Sequence, residues 1–141
     1  MTRNQRPRRR RDEDREAGAS IVEFVFWAPV LFAVLAAGIQ WGLYEWAYQV
    51  AQSAAQAGSA TAQQEYASDA AHWYDDSQQA ALGQVDALAP NLLEDPTATA
   101  SQSGTTVTMT VHADVPHILW SWFTPDLTVS STGSIEQWTA P

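Results

Sequence analysis

Residues 24–44 contain no charged side chain, a run of 21. As an α-helix such a run is about 31 Å long, the thickness of a bilayer's hydrocarbon core. The sequence therefore predicts a single transmembrane helix near its start, over residues 19–46. All seven basic residues lie on one side of it: Arg3, Arg6, Arg8, Arg9, Arg10, Arg11 and Arg15 precede Gly18, and no Lys or Arg follows in the next 123 residues. Cytoplasmic flanks of membrane helices collect Lys and Arg, so residues 1–18 read as a basic cytoplasmic leader and residues 47–141 as an extracytoplasmic domain. A secretory signal peptide is the competing reading. It would use Val34-Leu35-Ala36 or Leu35-Ala36-Ala37 as its cleavage site, but the apolar run continues past both, and a carboxylate opens it.

That carboxylate is Glu23. A charge beside a membrane helix is costly unless something pairs with it. The order of basic leader, Gly18, four small or apolar residues, Glu23, the aromatic Phe24 and a long apolar helix resembles the type III signal of prepilins and pseudopilins, in the form used by Tad (tight adherence, Flp) systems. The longer phrase Ala17-Gly18-Ala19-Ser20-Ile21-Val22-Glu23-Phe24-Val25-Phe26-Trp27-Ala28-Pro29-Val30-Leu31 is similar to TadE-like proteins, and the resemblance is carried by residues 17–44. It implies cleavage by a prepilin peptidase between Gly18 and Ala19, and pairing of the new α-amine with Glu23 of a neighbour, with Phe24 beside it. An amine and a carboxylate in a low-dielectric bundle attract strongly and offset each other's desolvation. Phe24 stands where major Flp pilins carry Tyr, which favours a minor pseudopilin or TadE-like protein over the filament subunit.

Within the helix, Pro29 removes the hydrogen bond to the carbonyl of Val25 and is expected to kink it. Membrane helices tolerate such kinks because neighbours satisfy the freed carbonyl. Gly38 and Gly42 are spaced for close helix approach. Trp41, Tyr44, Trp46 and Tyr48 crowd the outer end, as an interfacial aromatic belt does.

The helix is expected to continue outside as a stalk. Ala47, Ala51, Ala54, Ala55, Gly58 and Ala62 recur at three- and four-residue spacing, which aligns small side chains on one face for a sheet or a partner helix to cover. Asp76 or Ser77 is positioned to cap a short helix running through Leu88, with Pro90 ending it. Residues 91–104 have loop composition. From there the period changes to two. Val107, Met109, Val111, Ala113 and Val115 alternate with Thr106, Thr108, Thr110, His112 and Asp114, predicting a half-buried strand, and a second is predicted over residues 127–138 with Leu127, Val129 and Ile135 inward. A two-stranded hairpin is marginal alone, so a third strand from residues 90–104 or packing on the stalk is required. The intervening 116–125 is too apolar for a solvated loop. Its Trp120, Trp122 and Phe123 dock either on the domain's own sheet or on a partner or membrane surface. The fold class expected is α+β: a long N-terminal helix, transmembrane and then stalk, packed with a small C-terminal antiparallel sheet in a pilin-like arrangement.

Charge and composition exclude several functions. Twelve acids and no base follow Gly18, a distribution that repels phosphate backbones and argues against nucleic-acid binding. Without Cys there is no disulfide, thiolate metal site or thiol nucleophile. His72, His112 and His117 lack metal-ligand spacing, and Asp75-Asp76 and Glu94-Asp95 are sequence neighbours whose side chains diverge in regular structure. No nucleophile motif or phosphate-binding loop occurs. No catalytic residue, metal or cofactor is expected. The resemblance implies a TadE-like minor pseudopilin or assembly component of a Tad-type pilus or secretion apparatus in a bacterial cell membrane. Its expected partners are other pilins or pseudopilins, Tad inner-membrane components and a prepilin peptidase. The alternative is an exported or membrane-anchored envelope binding protein that uses its Trp-rich loop.

Overall fold

A computed structural model describes the backbone of residues 7–66, 71–117 and 125–135, and the side chains of these from Val22 onward. Five elements follow in order: α1 (Pro7–Tyr66), α2 (Trp73–Leu88), β1 (Glu94–Ser103), β2 (Thr106–Asp114) and β3 (Asp126–Ser134). Pro7 opens α1, where a missing N–H costs nothing, and Pro29 lies inside it. The chain divides into two units, Met1–Ile39 and Gln40–Pro141.

In the second unit the small-residue stripe is the floor of the core. Ala47, Ala51, Ala54, Ala55 and Ala62 are fully buried, and Val50 joins them. Both α2 and the sheet cover this face. The absence of a side chain at Gly58 admits Met109 of β2 and the carbonyl of Ser77 in α2 to the helix surface. Backbones approach closely only where side chains are this small, so the Ala and Gly spacing specifies how the layers stack.

Helix α2 begins at Trp73, three to four residues before the expected cap. Asp75 and Asp76 fall in its first turn, where negative charge complements the helix dipole, and His72 at the N-cap makes no side-chain capping bond. Ser77 is interior and buried, its hydroxyl donating to the Tyr74 carbonyl at 2.9 Å. The capping expectation failed because tertiary contact outweighs it: Trp73 packs against both core clusters and meets Tyr66 edge-on at 5.7 Å. Ser77, Ala81 and Val85, spaced by four, form the buried face. The helix ends at Leu88, with Pro90 just beyond as expected.

The three strands form one antiparallel sheet in the order β1-β2-β3. β2 is the central strand, with Val107, Met109 and Val111 fully buried and Ala113 and Val115 nearly so. Leu127, Val129 and Ile135 are buried alongside, as the period of two predicts. β3 is described from Asp126 to Ser134, while Trp138 lies outside the described residues. Residues 94–103, read from composition as loop, are strand β1. This is the third strand that the hairpin needs, and it packs together with the helices in the same core. Its composition misleads because it is an edge strand: Pro96 sits within the register irregularity between Glu94 and Thr97, beside Asp95 at φ 46°. Gly104, at φ 60°, opens the two-residue turn to β2, a position where positive φ favours glycine. The architecture is α+β, a long N-terminal helix with a small antiparallel sheet.

Candidate functional site

Two regions of α1 bear on function. In the first unit its apolar side chains are solvent-facing: Phe24 is 69% exposed, Phe26 76% and Phe32 71%, with Val22, Val25, Trp27, Val30, Leu31, Val34, Leu35 and Ile39 also exposed. Contiguous apolar surface of this extent is unstable in water and marks a surface meant for lipid or protein. The helix is long and apolar enough to cross a membrane.

The residues singled out in sequence lie along this helix. Gly18 and Ala19 are within α1, and Glu23 and Phe24 are both exposed on it. Pro29 is exposed inside the helix. A Cβ built at Gly38 or at Gly42 meets nothing within 4 Å, so each leaves helix backbone open to a close approach. Trp120, Trp122 and Phe123 fall outside the described residues.

The second region is the start of the folded unit. The Gln40 side-chain Nε2 donates to the Pro116 carbonyl at 3.1 Å, and the Val115 N–H donates to the Pro125 carbonyl at 3.2 Å. Together these bonds pin both ends of the β2–β3 connection. Leu43 and Tyr44 pack against the core, whereas Trp41, Trp46 and Tyr48 remain exposed. Tyr44, grouped by sequence with the aromatic belt, is therefore partly a core residue. Gln40 was missed in sequence. Its one signal is polarity within an uncharged apolar run; the acceptor lies 76 residues away.

Side-chain chemistry elsewhere is sparse. The His112 Nδ1 lies 2.9 Å from the Thr128 hydroxyl on the outer sheet face, where Thr110 and Ser130 also pair at 3.0 Å. Among the described residues, no three His, Cys, Asp or Glu side chains come together to hold a metal ion. An open cleft of about 430 Å³ between α1 and α2 is lined by Thr61, Glu65, Asp76, Gln79 and Ala80.

No curated protein and no solved structure matches the chain. Residues 18–60 match the family model described as TadE-like protein. The match takes in Gly18, Glu23, Phe24, Pro29, Gly38 and Gly42, runs through the exposed apolar segment, and extends past it over the buried Ala47, Ala51, Ala54 and Ala55. By this match the N-terminal part of the chain, residues 18–60, is TadE-like.

Proposed function

We propose that the chain is a single-pass membrane component of a Tad-type pilus or secretion apparatus, a minor pseudopilin that acts by helix packing and domain contacts. The observation that carries this reading is the coincidence of the TadE-like match over residues 18–60 with a helix whose apolar side chains are exposed through residues 22–39. Pilus assembly is the setting that a TadE-like segment suggests, and an exposed apolar helix suits a membrane and neighbouring helices. In this reading the N-terminus is cytoplasmic, residues 19–46 cross the membrane, residues 47–141 are extracytoplasmic, and Glu23 and Phe24 meet a neighbouring subunit after cleavage between Gly18 and Ala19. Gly38 and Gly42 are the places where another helix approaches. Partners are pilins or pseudopilins, Tad inner-membrane components and a prepilin peptidase, and no catalytic step belongs to this chain.

The test is topological. A reporter active only outside the cytoplasm should work when fused after Pro141 and fail when placed before Gly18, because every Arg precedes the helix. The opposite pattern would overturn the reading.

A further inference from the structure

The two edges of the sheet differ. On β1, Pro96 has no N–H to offer, the register slips between Glu94 and Thr97, and Asp95 turns at φ 46°. Proline, charge and irregular register are devices that keep an edge strand from pairing further. β3 lacks them beyond Asp126: its register with β2 is unbroken to Ser134, and residues 127–134 contain no Pro and no charged side chain. At its two ends the Val115 N–H donates to the Pro125 carbonyl and the Ile135 N–H to the Thr105 carbonyl, so the odd-numbered residues of β3 are the ones that bond β2. Thr128, Ser130 and Thr132 therefore turn their N–H and C=O groups to the outer edge. No strand among the described residues pairs with them there.

The flank of α1 beside this edge is only half covered. Ser59 and Gln63 lie under β3, the first with its hydroxyl 3.1 Å from that of Ser131, the second filling the space where Gly133 has no Cβ. The two contacts advance together, so α1 and β3 run in the same direction. Tyr48 and Gln52 precede Ser59 and Gln63 by 11 residues each, about three helical turns, and so share their flank. Ser59 is 4% exposed, whereas Tyr48 is 40% exposed and Gln52 is exposed as well. From the Ser59–Ser131 contact, Tyr48 is about 17 Å back along the helix and Asp126 about 17 Å back along the strand. The uncovered aromatic is thus level with the start of β3.

Charge narrows what can pair here. Asp126 ends a rank of three carboxylates, Glu94, Asp114 and Asp126, set side by side across the sheet. A further strand puts a residue next to Asp126, and a cation at that place offsets the repulsion within the rank. A second copy of the folded unit has none to bring, since no Lys or Arg follows Arg15. We propose that the β3 edge takes a fourth strand from another protein, an extended segment that carries Lys or Arg opposite Asp126 and, adjacent on its other face, an apolar side chain over Tyr48. Backbone hydrogen bonds to Thr128, Ser130 and Thr132 hold such a strand, while the cation and the apolar contact select it. The site belongs to the folded unit alone and goes beyond the membrane reading without depending on it.

The probe is an end-capped peptide, Lys-Val-Thr-Val-Thr-Val-Thr-Val-Lys, titrated into the isotope-labelled full chain in detergent micelles, with amide hydrogen exchange followed by NMR. At saturation, exchange at Thr128, Ser130 and Thr132 should slow several-fold, while Val129 and Ser131, already bonded to β2, change less. The same peptide with Glu in place of both Lys should bind several-fold more weakly. Thr132→Pro removes only an outward N–H, so the melting temperature should hold while binding is lost. Tyr48→Ser leaves the edge itself intact and should weaken binding several-fold. No saturable binding, binding that leaves the three amides unprotected, or equal binding of the Glu peptide would overturn the proposal. Protection of the three amides in the chain alone would overturn it too: rising with chain concentration, it would mean a second copy, and independent of concentration, a segment of the chain itself.

Discussion

Gly58 and Met109 occupy the same space: a Cβ added to Gly58 would lie 2.9 Å from Met109 Cγ and Cε, and equally close to the Ser77 carbonyl oxygen. The thioether can turn aside, but the backbone carbonyl of α2 cannot. One glycine thus sets the spacing of α1, α2 and the sheet at their common crossing.

A paired glycine substitution measures that constraint. Gly83 lies in α2 with nothing within 4 Å of an added Cβ. There Gly83→Ala should stabilise by about 0.5–1 kcal/mol through helix propensity. Gly58→Ala gains the same propensity but meets about 1–3 kcal/mol of overpacking, so it should be neutral to destabilising, and Gly58→Val clearly destabilising. Thermal melts of the detergent-solubilised chain, followed by Trp fluorescence, rank the variants. A stabilised Gly58→Val would mean that the layers are not in close contact there.

Glu94, Asp114 and Asp126 are cross-strand neighbours, a rank of three carboxylates across the sheet, and they make a second prediction. Asp114 is opposite Glu94 on one side and Asp126 on the other, and like charges directly across a sheet destabilise it by about 0.2–1 kcal/mol per pair. Asp114→Asn removes both repulsions at once and should raise the melting temperature. The gain should shrink in about 1 M salt, where screening acts within about 3 Å. An equal gain at all salt concentrations would assign the effect to something other than charge.

A third prediction concerns Gln40. Gln40→Leu keeps the volume and removes the bond to the Pro116 carbonyl, a loss of about 0.5–1.5 kcal/mol. The core residues do not depend on that bond, so global melting should move little. Hydrogen exchange of the Val115 amide, which donates to Pro125, should accelerate. Unchanged protection at Val115 would show that the two pins are independent.

These residues also mark what the sequence could and could not disclose. The alternation of Val107, Met109, Val111, Ala113 and Val115 is local, and so is the stripe from Ala47 to Ala62, because burial of one face writes itself into the period. The apolar run and the Gly18 to Phe24 phrase were legible for the same reason, needing no partner in the fold. β1 was legible only as one of two ways to complete the hairpin: its composition reads as loop, and Pro96 with a chain of Thr, Ala and Ser becomes a strand through the hydrogen-bonding partners that β2 supplies. The start of α2 was displaced because Asp76 and Ser77 carry a strong local signal that the contacts of Trp73 override. Gln40 is the extreme case, since its role depends wholly on a carbonyl far along the chain.

The last prediction tests the N-terminal phrase itself. Under the proposed processing, Gly18 would suit a peptidase because, lacking Cβ, it can extend its backbone in an active site where a side chain would obstruct. Gly18→Leu should leave membrane insertion intact and abolish processing, retaining a precursor longer by 18 residues. Glu23→Ala acts on a later step. It removes a charge at the edge of the apolar run, so insertion should become easier and cleavage should persist, but the carboxylate that the proposal pairs with a neighbour's new α-amine is gone and assembly should fail. Mass spectrometry of the purified membrane protein reads the first step, and co-purification with the pilins proposed as its partners reads the second. An N-terminus at Ala19 in the parent chain, lost in Gly18→Leu and kept in Glu23→Ala, is the expected result. An N-terminus at Met1 or Thr2 would make the chain an uncut TadE-like anchor, and one near Ala37 or Gly38 would make it an exported protein whose apolar run serves only as a signal.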